Sequence, residues 1–124
     1  KVPLDDADDQ DGAPLHYAAK KGFLPLAEML VAAGADVDAP NTKQMTPLHL
    51  ACHVNKTDVA ALLLANKAGV NVQDYLLRTP LHYACLKAHT EAVQMLLAAK
   101  ADVSVADDKG KTALHLVGQS ASRK

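Results

Sequence analysis

The sequence repeats itself every 33 residues. Four segments align without a gap, and each places a leucine directly before a histidine; these leucines are Leu15, Leu48, Leu81 and Leu114. Two other blocks recur in the same register. Apolar triplets begin at Met29, Leu62 and Met95, and short turn-like segments begin at Ala35, Ala68 and Ala101. Three blocks in register over three periods indicate an array of one stacked supersecondary unit.

Each unit carries signals for the start of a helix. In the second unit, Thr46 can cap the free N–H groups of a first helical turn. Pro47 fits that turn because its missing N–H is not needed there. Leu48, Ala51 and Cys52 follow at helical spacing and form a narrow apolar stripe. A second helix is predicted to begin near Thr57 and Thr90, which could act as caps, and near Pro25 in the first unit; Gly34 fits a left-handed position past the helix end.

These motifs resemble the ankyrin-repeat family. The resemblance is carried by the Thr-Pro-Leu-His segments at Thr46 and Thr79 and by the weaker copies at Ala13 and Thr112. It implies an all-α repeat solenoid, in which each unit has a β-turn or hairpin finger followed by two antiparallel helices. We divide the chain into an acidic lead-in (1–7), three repeats (8–40, 41–73, 74–106) and a partial fourth repeat (107–124). The chain begins at Lys1 and the fourth unit stops after one helix, so we expect a piece of a longer protein.

Short helix pairs cannot bury their apolar stripes alone, so we expect stability to come from stacking. Leu15, Leu48, Leu81 and Leu114 should then share one core. Three residues depart from the pattern. Ala13 replaces a capping threonine, whereas Asn55 and Ala88 stand where the family has a glycine between the helices. Asparagine tolerates a left-handed backbone, and alanine tolerates it less well.

Composition narrows the function classes. The net charge is −1, which does not favour nucleic acid as a partner of the whole molecule. The longest apolar run, Val59 to Ala65, is too short to span a bilayer, so we expect no membrane insertion. Cys52 and Cys85 occupy equivalent positions of neighbouring repeats, which are too far apart for a disulfide. Reduced, buried cysteines fit a cytoplasmic or nuclear protein, and we expect a monomeric array.

The sequence bears on two further kinds of site, a metal site and a catalytic site. His49, Cys52 and His53 lie at a helical spacing that could hold zinc. A structural role is favoured, because the resemblance implies that the histidine of each repeat bonds the preceding threonine and neighbouring backbone. The sequence has no Gly-x-Ser-x-Gly motif and no glycine-rich phosphate loop. We therefore predict no metal, no cofactor and no catalytic residue.

The resemblance also implies where a partner would bind. In ankyrin-like arrays, partners usually contact the fingers and the exposed side of each first helix. Carried over residue by residue, these positions are Asp9, Gln10, Gly12, Lys20, Lys21, Thr42, Lys43, Met45, His53, Val54, Tyr75, Leu76, Arg78, Leu86, Lys87, Asp108, Lys109, Lys111, Gln119 and Ser120. They include seven of the thirteen basic residues and two of the fourteen acidic ones, so this face is positive on a nearly neutral chain.

Twelve of these positions form the predicted partner-binding set: Lys21, Lys43, Met45, His53, Val54, Tyr75, Leu76, Arg78, Leu86, Lys87, Lys109 and Lys111. The third finger is unusually apolar, since it reads Tyr75-Leu76-Leu77-Arg78. Its composition resembles a binding hot spot. In the alternative interpretation, Tyr75 and Leu77 pack against neighbouring fingers, or this patch meets the rest of a parent protein.

The leading functional hypothesis is a non-catalytic protein–protein interaction module that presents a basic, partly apolar concave face to an acidic partner segment. The main alternative is a regulatory or spacer array within a larger enzyme or channel, in contact with its own parent chain. A nucleic-acid binder ranks third, because Tyr75 is the single residue of the predicted face that could stack on a base.

Overall fold

The computed structural model describes residues 12–117, and this range contains seven helices and no extended strand. In chain order the helices are α1 (Pro14–Lys21), α2 (Leu24–Ala32), α3 (Pro47–His53), α4 (Thr57–Ala65), α5 (Pro80–Leu86), α6 (Thr90–Ala98) and α7 (Ala113–Leu116). None of these helices is long and apolar enough to cross a membrane.

The helices form two layers that repeat along the chain. The first helices of successive repeats, α1, α3, α5 and α7, pack side by side, while α2, α4 and α6 form the second layer behind them. Within each of the first three repeats the two helices also pack against each other. Each repeat therefore contacts its neighbours in sequence order, which is the arrangement of an all-α solenoid.

The first helices begin at the predicted caps. Thr46, Thr79 and Thr112 have extended backbones and directly precede α3, α5 and α7. Ala13 takes this position before α1 without a side-chain cap bond, although its N–H still donates to His16 Nδ1 at 3.0 Å.

The predicted caps of the second helices are wrong. Thr57 and Thr90 are the first residues inside α4 and α6, and the residues before them, Lys56 and His89, make no side-chain cap bond. The short turn that links the two helices sets these starts instead. Lys56 N–H donates to Ala51 O at 2.8 Å, and His89 N–H donates to Ala84 O at 2.9 Å.

Side chains at equivalent positions form one continuous core. Leu15, Leu48 and Leu81 are buried, and Ala51 and Cys52 lie beside Leu48 without any exposed surface. The second layer contributes α4 side chains such as Val59 and Leu63 and α6 side chains such as Leu96. Both cysteines are free and buried, as predicted.

Leu114 does not join this core, contrary to the prediction from the repeat. Its exposed fraction is 76%, whereas that of Leu81 is 2%. In the first three repeats the helix that carries this leucine packs against the second helix of its own repeat. Within the described residues no second helix follows α7. An apolar groove of about 290 Å³ therefore lies beside α7, lined by residues that include Leu81, Val93, Leu97, Leu114 and Val117.

Left-handed backbone recurs at the turn between the two helices of a repeat. The φ angles of Gly22, Asn55 and Ala88 are 75°, 62° and 60° at equivalent positions. Gly34 also has a positive φ, 96°, past the end of α2. Ala88 therefore has a left-handed backbone, which alanine tolerates less well than asparagine.

Candidate functional site

The fingers, which connect one repeat to the next, are closed by their own backbone. The N–H of Asn41 donates to Met45 O at 3.0 Å, and the same bond recurs from Asp74 to Arg78 at 2.9 Å. The side-chain oxygen at the first position accepts two further N–H groups of the same finger. Asp74 Oδ1, for example, accepts from Leu76 at 2.9 Å and from Arg78 at 3.0 Å. Each finger is therefore a turn whose backbone is held by its own hydrogen bonds.

Neighbouring fingers are joined to each other. Tyr75 N–H donates to Lys43 O at 3.0 Å, and Asp108 N–H donates to Leu76 O at 2.9 Å. These two bonds place the second, third and fourth fingers in one continuous row. Lys43 and Tyr75, two predicted site residues from different repeats, are thereby brought into contact.

The repeated histidines fix each first helix to the next finger. His49 Nε2 donates to Arg78 O at 2.9 Å, and its Nδ1 accepts from Thr46 N–H at 3.0 Å. His16 Nε2 makes the equivalent bond to Met45 O at 2.8 Å. Burial lowers the pKa of His49, which favours the neutral ring that can both donate and accept. With both ring nitrogens occupied, His49 has the structural role that the resemblance implied. Among the described residues no cluster of three potential metal ligands is found.

The charge of Arg78, a predicted basic residue of the face, is partly offset. Its Nε donates to Asp107 Oδ2 at 3.3 Å, and its guanidinium lies 5.6 Å from the centre of the Tyr83 ring. The Tyr83 hydroxyl in turn donates to the Asp74 carboxylate. Burial, together with this bond, raises the pKa of Tyr83. The third finger and α5 are thus tied together by one polar cluster.

The lysines of the predicted face are better placed to meet a partner. Lys43, Lys87 and Lys109 are exposed, and Lys111 is half-buried. Lys21 is also exposed, and its Nζ lies 5.9 Å from the centre of the Tyr17 ring. None of these lysines takes part in the ion pair between Arg78 and Asp107.

The apolar residues of the predicted face differ in their exposure to solvent. Tyr75 and Leu77 are exposed, with exposed fractions of 52% and 46%, so their side chains are not packed away between the fingers. Val54, Leu76 and Leu86 are half-buried.

Met45 was expected on the exposed patch but is buried, with an exposed fraction of 7%. Its N–H donates to Asn41 Oδ1 at 3.0 Å and its carbonyl accepts from His16, which fixes the residue close to the preceding repeat. Met45 therefore lines the base of a groove.

That groove lies between the first and second repeats and has a volume of about 240 Å³. Four residues of the predicted set line this groove: Lys43, Met45, His53 and Val54. Asn41 and Leu50, which were not predicted to bind, and Lys20 complete the lining. Leu50 was missed because the family positions carried over do not include it. Burial, followed by the nearby charges of Lys87, His89 and Arg78, lowers the pKa of His53.

Some of the predicted positions do not reach the face. Gly12 is buried, and a side chain there would come within 2.7 Å of Asn41 Cβ. Asp9, Gln10, Gln119 and Ser120 lie outside the described residues.

Together these contacts define a solenoid of stacked helix pairs with a row of fingers along one edge. Comparison with protein families agrees. Residues 3–74 match a model of ankyrin repeats in three copies, and residues 69–117 match a model of ankyrin repeats in many copies. The chain belongs to the ankyrin-repeat family. No curated protein matches it. Ankyrin repeats are generally protein–protein interaction modules and are typically non-catalytic.

Proposed function

We propose that this array binds an acidic, partly apolar segment of another protein along the row of fingers and the first helices. The observation that carries the proposal is the charge of this face. Its described positions hold seven basic residues and one acidic residue, Asp108, on a chain whose net charge is −1. A field of one sign on a preformed surface favours encounter with a partner of opposite sign.

The geometry supports a partner in an extended conformation. The finger row is continuous through the bonds of Tyr75 to Lys43 and of Asp108 to Leu76. Exposed lysines flank Tyr75 and the half-buried side chains of Leu76 and Leu86. An acidic segment with intervening apolar residues could pair its carboxylates with lysines while its apolar side chains cover this surface. Truncating Tyr75 and Leu76 to alanine should therefore weaken binding.

A titration with an acidic probe peptide tests the proposal. The probe is a pentapeptide, Glu-Glu-Tyr-Glu-Glu, blocked at both ends. The double variant Lys43→Glu, Lys87→Glu should bind it at least about tenfold more weakly at low salt, because two favourable charges become repulsive. Most of this difference should disappear near 1 M salt, where the Debye length falls to about 3 Å.

The matched control is the double variant Lys67→Glu, Lys100→Glu. These lysines are also exposed and undergo the same charge change, but they lie in the turns that follow α4 and α6, away from the fingers. The control should bind the probe nearly as well as the wild-type chain. Equal weakening by both double variants would show that the net charge alone matters, and would contradict a defined binding face.

The alternative role, an array that contacts its own parent chain, would use the same face if the acidic segment belonged to that chain. The apolar groove beside α7 is the observation that favours contacts beyond the described residues. Appending a candidate parent segment to the chain distinguishes the two roles. A segment that binds in cis should block the pentapeptide, and this block should be independent of protein concentration.

A further inference from the structure

The groove between the first two repeats corresponds, residue for residue, to a site that is already filled between the second and third repeats. Four residues of its lining have counterparts exactly one period later. Lys20, Asn41, Met45 and Leu50 correspond to His53, Asp74, Arg78 and Tyr83. The groove can therefore be interpreted from the structure of its filled counterpart.

In the filled site, the occupant is an aromatic ring. Tyr83 has an exposed fraction of 6%, and its ring packs edge-on against His53 with a distance of 5.2 Å between ring centres. The guanidinium of Arg78 lies over the same ring at 5.6 Å. The side chains around the ring belong to the third finger, which supplies Arg78 and Asp74, and to the end of α3, which supplies His53.

In the first groove, leucine replaces this tyrosine. Leu50 is shorter than Tyr83 and leaves about 240 Å³ open to solvent between α1, the second finger and α3. An apolar cavity of about 150 Å³ is enough to bind benzene. The open groove thus has room for one aromatic ring.

The residues that remain are suited to a ring. Met45 takes the position of Arg78, and methionine sulfur makes favourable contacts with aromatic rings. Lys20 takes the position of His53, where a cation can interact with the face of a ring. Leu50 and Val54 supply aliphatic surface, and Lys43 supplies an exposed positive charge at the edge.

We propose that this groove binds one aromatic side chain of the partner, which takes the place that Tyr83 takes between the next two repeats, with carboxylates of neighbouring partner residues near Lys43. The inference rests on the proposed function for the acidic part of the partner. The ring site itself depends on this chain alone, so the two can be tested separately.

The first experiment uses p-cresol, the analogue of a tyrosine side chain, and follows the methyl signals of Met45, Leu50 and Val54 by NMR. In the wild-type chain these signals should shift and saturate. In Leu50→Tyr, where the new ring fills the groove as Tyr83 fills its own, the saturable shift should be lost. Leu97→Tyr is the matched control, because Leu97 is on α6 and outside this groove, and it should retain the shift.

An absence of saturable shifts in the wild-type chain would overturn the proposal, as would an undiminished shift in a folded Leu50→Tyr variant. If Leu50→Tyr does not fold, the wild-type titration still decides the matter. Dispersed amide signals identify a folded variant.

The second experiment compares two blocked pentapeptides, Glu-Glu-Tyr-Glu-Glu and Glu-Glu-Ala-Glu-Glu. The aromatic peptide should bind about tenfold more tightly, because it buries a ring that alanine lacks. Equal binding of the two peptides would overturn the aromatic site but leave the basic face in place. Binding of neither would contradict the proposed function, and the p-cresol titration would then still decide the ring site.

Discussion

A single residue position shows how this array can vary its surface without changing its fold. Position 50 and position 83 lie one period apart and have the same backbone role in α3 and α5. Tyr83 fills its site and bonds Asp74, whereas Leu50 leaves a groove at the equivalent place. Because each finger is closed by its own hydrogen bonds, the loss of the ring need not collapse the turn around it.

The sequence predicts the residue roles that repeat and misses those that do not. The bonding of His16, His49 and His82 was implied by the family resemblance, and all three bond the next finger. The groove at Leu50 depends on the difference in volume between the side chains of Leu50 and Tyr83. The burial of Met45 depends on the direction in which its finger closes. Neither can be deduced from a motif, because both depend on packing between neighbouring repeats.

Ala88 has a left-handed backbone conformation. Its φ of 60° is costly for a residue with a side chain, by about 1–2 kcal/mol. Ala88→Gly should remove that cost. Glycine also increases the conformational entropy of the unfolded chain, which lowers the free energy of unfolding by about 0.4–1 kcal/mol. We therefore expect the free energy of unfolding to rise by about 1 kcal/mol in urea titrations.

Ala84→Gly is the control for this change. Ala84 lies inside α5, is fully buried and has an ordinary helical backbone. The same substitution there should lower the free energy of unfolding by about 2 kcal/mol, because glycine is a poorer helix former and a buried methyl group is lost. If Ala88→Gly were also destabilising, the positive φ would not be a source of strain.

Among the elements, the starts of both the first and the second helices were predictable, whereas the caps proposed for the second helices were wrong. Thr46-Pro47 and Thr79-Pro80 combine a cap with a proline in the first turn, and α3 and α5 begin there. The second helices α4 and α6 begin at Thr57 and Thr90, as predicted, and α2 begins at Leu24, directly before Pro25. These starts are held by backbone bonds of the interhelix turn, such as that from Lys56 to Ala51, and not by the predicted threonine caps.

Within residues 12–117, α7 is the first helix of a repeat that no second helix follows. Leu114 is exposed although Leu15, Leu48 and Leu81 are buried, and the groove beside it is lined by Leu97 and Val117. The repeat alone predicted burial at all four positions, but within the described residues the fourth unit has no second helix to pack against α7. The apolar stripe of a first helix is thus necessary but not sufficient for a core.

A chain extension tests this explanation of α7. A copy of residues 92–106 placed directly after Lys124 keeps the 33-residue register and supplies a second helix to the fourth repeat. The extension should raise the free energy of unfolding, since full burial of Leu114 alone contributes about 1.5–3 kcal/mol. Urea unfolding of the two chains provides the measurement.

The control extension carries aspartate in place of the copied Leu96. Leu96 is fully buried in α6, so a charge at its counterpart should prevent the added helix from packing. Equal stabilisation by both extensions would show that the added segment does not occupy the groove.

At the scale of the whole molecule, the arrangement of charge matters more than its sum. The net charge of −1 hides a face with seven basic residues and one acidic residue among its described positions. This asymmetry was predicted from the family resemblance, which assigns binding positions to fixed places in each finger and first helix. The sequence did not predict that Asp107 would offset part of the charge of Arg78, since that pair joins the third and fourth fingers.

The stacking also makes separate repeats act as one surface. Backbone bonds between fingers and histidine bonds between helices and fingers connect every described repeat to the next. A partner that lies along the row would therefore meet a surface that is largely formed before binding. Little conformational entropy should be lost by this chain on association.

The most direct measurement is a map of amide chemical shifts on titration with the blocked Glu-Glu-Tyr-Glu-Glu peptide. We expect saturable changes in residues of the fingers and first helices, namely Lys43, Met45, Leu50, Val54, Tyr75 and Lys87. Signals of Asp36, Lys67 and Lys100, in the turns after the second helices, should stay in place. Changes concentrated at those turns, with the finger signals unmoved, would contradict the proposed binding face.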